Sequence, residues 1–92
     1  RLENQLEDTR NEIEEIEATA CAVQNMYLTA TAYGIGCYWG SGGITYMEEA
    51  KPFFNLGRED RLLGFLLVGH ISKPSSEGKR GPWQEKVSWI SE

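Results

Sequence analysis

The chain has 92 residues, of which 9 are Lys or Arg and 14 are Asp or Glu, so its formal net charge at pH 7 is −5. A chain of this length forms at most one small domain, whose core covers a modest share of its surface. The acidic balance argues against unaided nucleic-acid binding, which needs clustered Lys and Arg to displace counterions from phosphates. No apolar run approaches the roughly 20 residues of a membrane-spanning helix, so we expect no membrane partner.

The acidity is concentrated in the first 17 residues, where seven acidic side chains face Arg1 and Arg10, a net of −5. The rest of the chain therefore balances to zero, and the charge is a local feature. The pattern leaves open whether this acidic lead-in over residues 1–12 extends a helix or hangs loose. Because the sequence begins at Arg1 inside an acidic stretch, we expect the beginning of a longer polypeptide to be missing.

Helical spacing of apolar residues predicts a core helix over residues 13–33. The apolar positions that carry this spacing are Ile13, Ile16, Ala20, Val23, Met26, Tyr27 and Ala30. Acidic residues near the start suit the positive end of the helix dipole, and Gly34 suits its end. The Ala-rich later half is apolar most of the way round, so we expect it to be buried between other elements.

Residues 33–43 read YGIGCYWGSGG and hold five of the ten glycines. A dinucleotide fingerprint is excluded because Trp39 stands where its last glycine belongs, and because the stretch follows a helix rather than a strand. A helix C-cap and turns explain three of the glycines. Glycines beside Tyr38 and Trp39 suit a backbone that approaches a flat ligand, such as a flavin, and donates N–H groups to it. We expect a ligand-facing loop over residues 34–43.

Thr45 and Glu48 match a capping box, which predicts a helix over residues 46–54 that Pro52 shortens or kinks. The apolar run over residues 61–71 predicts a core strand covered on both faces.

A turn-rich segment then leads to a C-terminal arm over residues 79–92, in which residues 87–90 alternate like a short strand. Two tryptophans on this arm need a surface to bury against, and a neighbouring subunit or the missing part of the polypeptide can provide it.

Cys21, Cys37 and His70 give neither a disulfide framework nor a metal-ligand cluster. Reduced thiols in a cytoplasmic protein are the simplest interpretation. No acid/base pair and no nucleophile with its base is visible, so no catalytic side chain and no metal ligand is predicted.

Residues 22–42 (AVQNMYLTATAYGIGCYWGSG) resemble the helix and following loop of the FMN-dependent nitroreductase family. That family tends to read apolar-Gln-Asn-Met-x-Leu-x-Ala, then Gly-x-Gly, then Trp-x-Ser/Thr-Gly. Residues 54–69 are similar to its short helix, acidic turn and core strand, and residues 79–89 to its C-terminal arm. The likeness covers about residues 13–90 and corresponds to the later part of the family domain.

The resemblance implies an α+β fold, a three-layer sandwich with a central mixed sheet, of which residues 1–92 form the later half within a single domain. It further implies an intertwined homodimer that holds FMN at the subunit interface. NADH or NADPH would reduce the flavin through its N5 atom, and a nitroaromatic, quinone or similar acceptor would reoxidise it in a ping-pong cycle. The flavin itself would carry out the hydride and electron transfer, which agrees with the absence of a predicted catalytic side chain.

Carried over by position, Trp39, Gly40 and Ser41 match the loop that touches the flavin, and Gly42 closes it. Their expected role is backbone donation to the electron-rich side of the isoalloxazine. Residues 29–34 match a region near the nicotinamide nucleotide in some relatives.

Arg80, and to a lesser degree Lys79, is the candidate for pairing with the FMN phosphate, because a guanidinium binds two phosphate oxygens at once. Several relatives carry Arg where this chain has Gly40, and its loss increases the importance of Arg80. A solvated loop charge is the alternative for Arg80. The family's Arg-Arg-Ser phosphate motif and its Pro, Asn and Gln loop are absent, so these residues alone should hold FMN poorly and be inactive.

Two alternatives remain open. One is a flavin relative with another substrate, such as a dehalogenase or an azoline dehydrogenase. The other is a non-enzymatic dimerisation or interaction module built on the acidic helix and the hydrophobic arm.

Overall fold

The computed structural model describes residues 2–91, and helix α1 spans Leu2–Ala32. The helix predicted over residues 13–33 lies almost wholly within α1, which also includes the acidic lead-in from Leu2 onward. No Gly or Pro interrupts this stretch. Arg1 and Glu92, at the ends of the predicted lead-in and arm, lie outside the described residues.

Helix α1 ends in a Schellman motif. Gly34 takes φ +72°, its N–H donates to the carbonyl of Thr31 at 3.0 Å, and the N–H of Ile35 donates to the carbonyl of Ala30 at 2.9 Å. These bonds satisfy carbonyls that a helix end leaves open. The chain turns here and enters the sheet.

The sheet consists of β1, Gly36–Gly40, and β2, Phe65–Gly69, paired antiparallel with Gly36 opposite Gly69 and Trp39 opposite Leu66. Helix α1 contacts β1, and it carries a stripe of half-buried residues. These residues are Ile16, Ala20, Val23, Tyr27 and Ala30. The predicted α+β class is confirmed, and in the described part of the chain the sheet has two strands.

The prediction of a loop over residues 34–43 is wrong at its centre, because β1 occupies Gly36–Gly40. The glycines indicated a loop, but here they permit close packing. A Cβ at Gly36 would lie 2.7 Å from the Ile71 side chain. Residues 41 and 42 remain non-regular.

The apolar run over residues 61–71 forms a shorter strand than predicted, because β2 begins only at Phe65. Gly64 has φ +135°, outside strand geometry, and the carbonyl of Leu63 accepts a side-chain hydrogen bond instead of a ladder bond. The expectation that both faces are covered also fails within residues 2–91, since Leu67 and Val68 are exposed.

The predicted capping box is absent. Thr45 lies inside a 3₁₀ turn, Gly43–Tyr46, and its buried hydroxyl has no hydrogen-bond partner among the described residues. Helix α2 is Ala50–Phe53, begins after Glu49 without a side-chain cap, and has Pro52 in its single turn. Glu48 instead pairs with Lys51, with 3.0 Å between Oε2 and Nζ.

The C-terminal arm forms no strand within residues 79–91 and contains one 3₁₀ turn, Trp83–Lys86. Trp83, Trp89 and Ile90 are exposed, the last two by 84% and 98%. Only Thr45 and Ala50 are buried in the described chain, and each keeps about 5–6% of its surface exposed. Large apolar areas therefore face outward, and such areas mark interaction surfaces.

Candidate functional site

Trp39 joins three parts of the fold. Its indole Nε1 donates to the carbonyl oxygen of Leu63 at 3.1 Å, and its backbone N–H donates to the hydroxyl of Tyr27 at 2.6 Å. Both bonds are half-buried, so the loss of either leaves a polar group poorly solvated. Trp39 therefore fixes the end of β1 against α1 on one side and against the start of β2 on the other.

Gly64 makes this arrangement possible. A Cβ at this position would lie 2.5 Å from the carbonyl oxygen of Gly40 and 2.5 Å from Nε1 of Trp39. Its φ of +135° also lies in a region that side chains disfavour. Glycine is thus required both for its conformation and for the close approach of the indole.

At the end of β1, some backbone N–H groups donate to acceptors within the chain and others have no acceptor among the described residues. Successive amides along a strand point to opposite edges. Because the Trp39 N–H points to Tyr27, the Gly40 N–H points to β2, where Gly40 lies opposite Phe65. The N–H groups of Ser41, Gly42 and Gly43 have no acceptor within residues 2–91, and all three residues are exposed.

This geometry corrects the predicted roles within residues 39–42. Trp39 was expected to donate its backbone N–H to a ligand, but Tyr27 already accepts that bond. Gly40 is turned toward the neighbouring strand for the reason just given. The free donors begin one residue later, at Ser41, and run through Gly42 to Gly43, which has φ +58°. Each of these exposed N–H groups is free to donate to an electron-rich atom of a ligand.

Gly42 presents an open backbone to the outside. It is extended, with φ −115° and ψ −171°, and a Cβ there would meet nothing within 4 Å. Nothing inside the described chain therefore requires glycine at this position. The space beside it is free for a ligand that approaches the backbone closely.

Arg80 lies in the exposed, non-regular segment before the last 3₁₀ turn. Within the described residues no ion pair involves its guanidinium, and no side-chain hydrogen bond joins it to residues 39–42. Trp39, Gly40, Ser41 and Gly42 are consecutive in the chain, whereas no bond of this kind connects Arg80 with them. An exposed guanidinium that pairs with no carboxylate of residues 2–91 can bind an anion.

An apolar cavity of about 390 Å³ lies between the end of α1 and the sheet. Thr29, Ala30 and Tyr33 contribute to its wall from the helix, and Cys37 and Val68 contribute from the strands. Asn25 and Met26 extend the helix wall, and the rest of that wall lies within residues 29–34, the part that the resemblance connects with a nicotinamide nucleotide.

Tyr27 and Gly64 were not identified as site residues from the sequence. Tyr27 was assigned only to the inward stripe of the helix, and no local pattern indicates that its hydroxyl reaches a strand 12 residues away. The sequence pattern predicts Gly64 as an interior position of a longer strand. An isolated Gly inside a strand pattern signals a bulge or a close backbone approach, and that signal was present.

No group of three or more His, Cys, Asp or Glu that could hold a metal ion occurs among residues 2–91. In the same residues, no helix combines the length and the apolar character that a membrane crossing requires.

Residues 3–70 match the family model described as "Nitroreductase family". The chain belongs to the nitroreductase family. The match includes α1, β1, α2 and β2, so the arrangement around Trp39 lies inside the family region.

Two relatives from bacteria agree with this membership. A Bacillus subtilis protein named "Putative NAD(P)H nitroreductase YfhC" is 30% identical over 82 residues, which are 89% of this chain and 42% of that protein. YdjA of Escherichia coli K12, which carries the same description, is 35% identical over 52 residues, 56% of this chain and 28% of that protein. The nitroreductase-family chain thus spans about two fifths of the length of YfhC.

The fold agrees as well. A crystal structure of a nitroreductase-like family protein from Bacillus cereus superposes with a TM-score of 0.72 at 36% sequence identity. The similar region covers 79% of this chain and 39% of that one.

Proposed function

We propose that this chain supplies part of the FMN site of an NAD(P)H-dependent oxidoreductase of nitroreductase type. Membership of the family and the names of YfhC and YdjA support this activity. When bound, FMN supplies hydride acceptance from NADH or NADPH and electron transfer, in a ping-pong cycle, to a small acceptor such as a nitroaromatic or a quinone. The chain's own residues bind the cofactor and orient it.

The observation that carries the proposal is the row of free N–H groups at Ser41, Gly42 and Gly43. Amides aimed at a flavin ring stabilise the charge that develops on it, and they need no reorganisation when their strand is fixed. Trp39 and Gly40 provide that fixed end. The four predicted residues therefore have two roles in this proposal. Trp39 and Gly40 fix the backbone, and Ser41 and Gly42 contact the flavin ring.

The phosphate of FMN carries negative charge that a cation can neutralise, and Arg80 is our candidate for this role. Gly40 provides no charge where several relatives carry Arg. The Arg80 side chain has no ion pair within the described residues, so binding a phosphate would break no existing pair. Its guanidinium can donate two parallel hydrogen bonds to phosphate oxygens.

A homodimer with FMN between the subunits is the assembly we propose. The exposed Trp83, Trp89 and Ile90 of the arm supply apolar surface that a second copy could cover. A cytoplasmic location is supported by the two free thiols, Cys21 and Cys37, because a reducing compartment keeps thiols free.

The test is purification of the full polypeptide that contains these residues, followed by its absorbance spectrum. We expect a yellow protein whose flavin bands bleach on anaerobic addition of NADPH or NADH and return on addition of a quinone or a nitroaromatic. A colourless protein that does not take up added FMN would contradict the proposal. Such a protein, if dimeric, would favour the interaction module instead.

A further inference from the structure

Tyr27 lies on the half-buried stripe of α1 and directs its hydroxyl to the neighbouring strand. The hydroxyl oxygen accepts the backbone N–H of Trp39 at 2.6 Å. Trp39 is the next-to-last residue of β1, and Ser41 follows the strand directly. The phenol therefore holds the strand two residues before the first free N–H group.

A strand end held at one point can still rotate, whereas one held at two points has a fixed direction. The indole of Trp39 provides a second point through its bond to the carbonyl of Leu63. The two bonds attach the same residue to α1 and to the segment before β2. The amide planes that follow, from Gly40 to Ser41, inherit their direction from this double attachment.

Packing alone does not require the hydroxyl. A Phe side chain, which lacks only the hydroxyl, would fill the same half-buried position. The neighbouring stripe residue one turn earlier, Val23, is apolar. The hydroxyl adds a partner for an amide that points away from β2 and has no strand on that side in the described chain. The hydroxyl of Tyr27 therefore serves to hold the end of β1.

We propose that Tyr27 is a positioning residue for the flavin ring. Its hydroxyl holds the Trp39 amide and thereby fixes the direction of the free Ser41 N–H, two residues further along the chain. This inference rests on the proposed function, since it assumes that the flavin ring accepts from that N–H. Tyr27 itself touches neither cofactor nor substrate in this proposal.

The test compares Tyr27→Phe with Tyr46→Phe in the full polypeptide. Tyr46 is exposed, lies in the 3₁₀ turn Gly43–Tyr46, and its hydroxyl makes no hydrogen bond within residues 2–91. We expect Tyr27→Phe to raise the dissociation constant of FMN about five- to tenfold, the effect of one lost hydrogen bond. Tyr46→Phe should leave the constant unchanged.

A second readout separates positioning from stability. Donors that are no longer aligned should lose more affinity for reduced than for oxidised FMN, so the two-electron midpoint potential of the bound flavin should fall. Each tenfold excess loss for the reduced form corresponds to about 30 mV. A side chain that served packing alone would weaken the fold without moving the potential of the flavin that remains bound.

A third readout does not involve the cofactor. In the FMN-free protein, Tyr27→Phe should accelerate hydrogen exchange at the Trp39 amide and leave exchange in the rest of α1 unchanged. If the parent protein binds no FMN, the proposed function fails, and the inference fails with it. If the parent binds FMN and Tyr27→Phe matches it in affinity and potential, the inference alone is overturned. General loss of protection throughout α1 in Tyr27→Phe would assign the hydroxyl to folding and overturn it too.

Discussion

The indole Nε1 of Trp39 donates a hydrogen bond to the carbonyl oxygen of Leu63, 24 residues away in the chain, at 3.1 Å. This bond uses the Leu63 carbonyl outside strand pairing, and the strand predicted from residue 61 begins only at Phe65. Trp39, which the sequence connects with a cofactor, thus makes structural hydrogen bonds through both of its N–H groups. It can affect a ligand by fixing the position of the residues that follow it.

Trp39→Phe keeps an aromatic ring and removes the indole donor. We expect the free energy of unfolding to fall by about 1–3 kcal/mol, because the half-buried Leu63 carbonyl loses its partner. Urea denaturation followed by circular dichroism measures this change. Trp89→Phe is the matched control, since Trp89 is 84% exposed, and it should stay within about 0.5 kcal/mol of the parent. Equal effects of the two variants would contradict the role assigned to the indole.

Gly64→Ala tests the close approach of the indole to the backbone. The added Cβ would lie 2.5 Å from the Gly40 carbonyl oxygen and would also be strained by its φ of +135°. We expect a loss of about 1–3 kcal/mol from backbone strain and a further loss of about 1–3 kcal/mol from overpacking.

Gly34→Ala is the comparison that lacks the steric clash. Gly34 also has a positive φ, +72°, but a Cβ there would meet nothing within 4 Å. Its substitution should therefore cost only the conformational part, about 1–2 kcal/mol. If Gly64→Ala proves no more destabilising than Gly34→Ala in the same denaturation series, the steric role of Gly64 is refuted.

Some of this architecture could be predicted from local patterns. The spacing from Ile13 to Ala30 identified the helix, because a helix buries one stripe of its own sequence. Gly34 identified its end, since a Schellman motif needs only the residues around it. The motif within residues 22–42 indicated the family, because the residues that form it are contiguous in the chain.

The remaining features depend on partners that are distant in sequence. The glycines at positions 36 and 40 indicated a loop, and only pairing with β2 makes them part of a strand. Nothing near Trp39 shows that Tyr27 and Leu63 use its two donors. For this reason the sequence-based interpretation includes Trp39 and Gly40 among the free donors, which begin at Ser41.

Arg80→Ala tests the proposed phosphate contact. A lost charge-assisted hydrogen bond should raise the dissociation constant of FMN about 10- to 100-fold, as measured by quenching of flavin fluorescence. Arg80→Lys should recover only part of the affinity, because an ammonium cannot make the two parallel bonds. Lys73→Ala, which removes a cation from the same exposed segment, is the matched control. An unchanged constant in Arg80→Ala would return Arg80 to a solvated loop charge.

Gly42→Val tests whether the flavin approaches the backbone after β1. Gly42 is extended, with φ −115° and ψ −171°, which suits a β-branched residue, and a Cβ would meet nothing within 4 Å. The unfolding free energy should therefore stay within about 0.5 kcal/mol of the parent. The affinity for FMN should fall at least tenfold if the ring lies against this backbone, because the new methyl groups would occupy its place.

Ser41→Ala completes this comparison, because it removes a hydroxyl and keeps the Ser41 N–H. A role that depends on backbone donation predicts an FMN dissociation constant close to that of the parent. A large loss in Ser41→Ala together with normal binding in Gly42→Val would reverse the assignment. The Ser41 side chain, rather than the row of amides that begins at its N–H, would then be the group that meets the flavin.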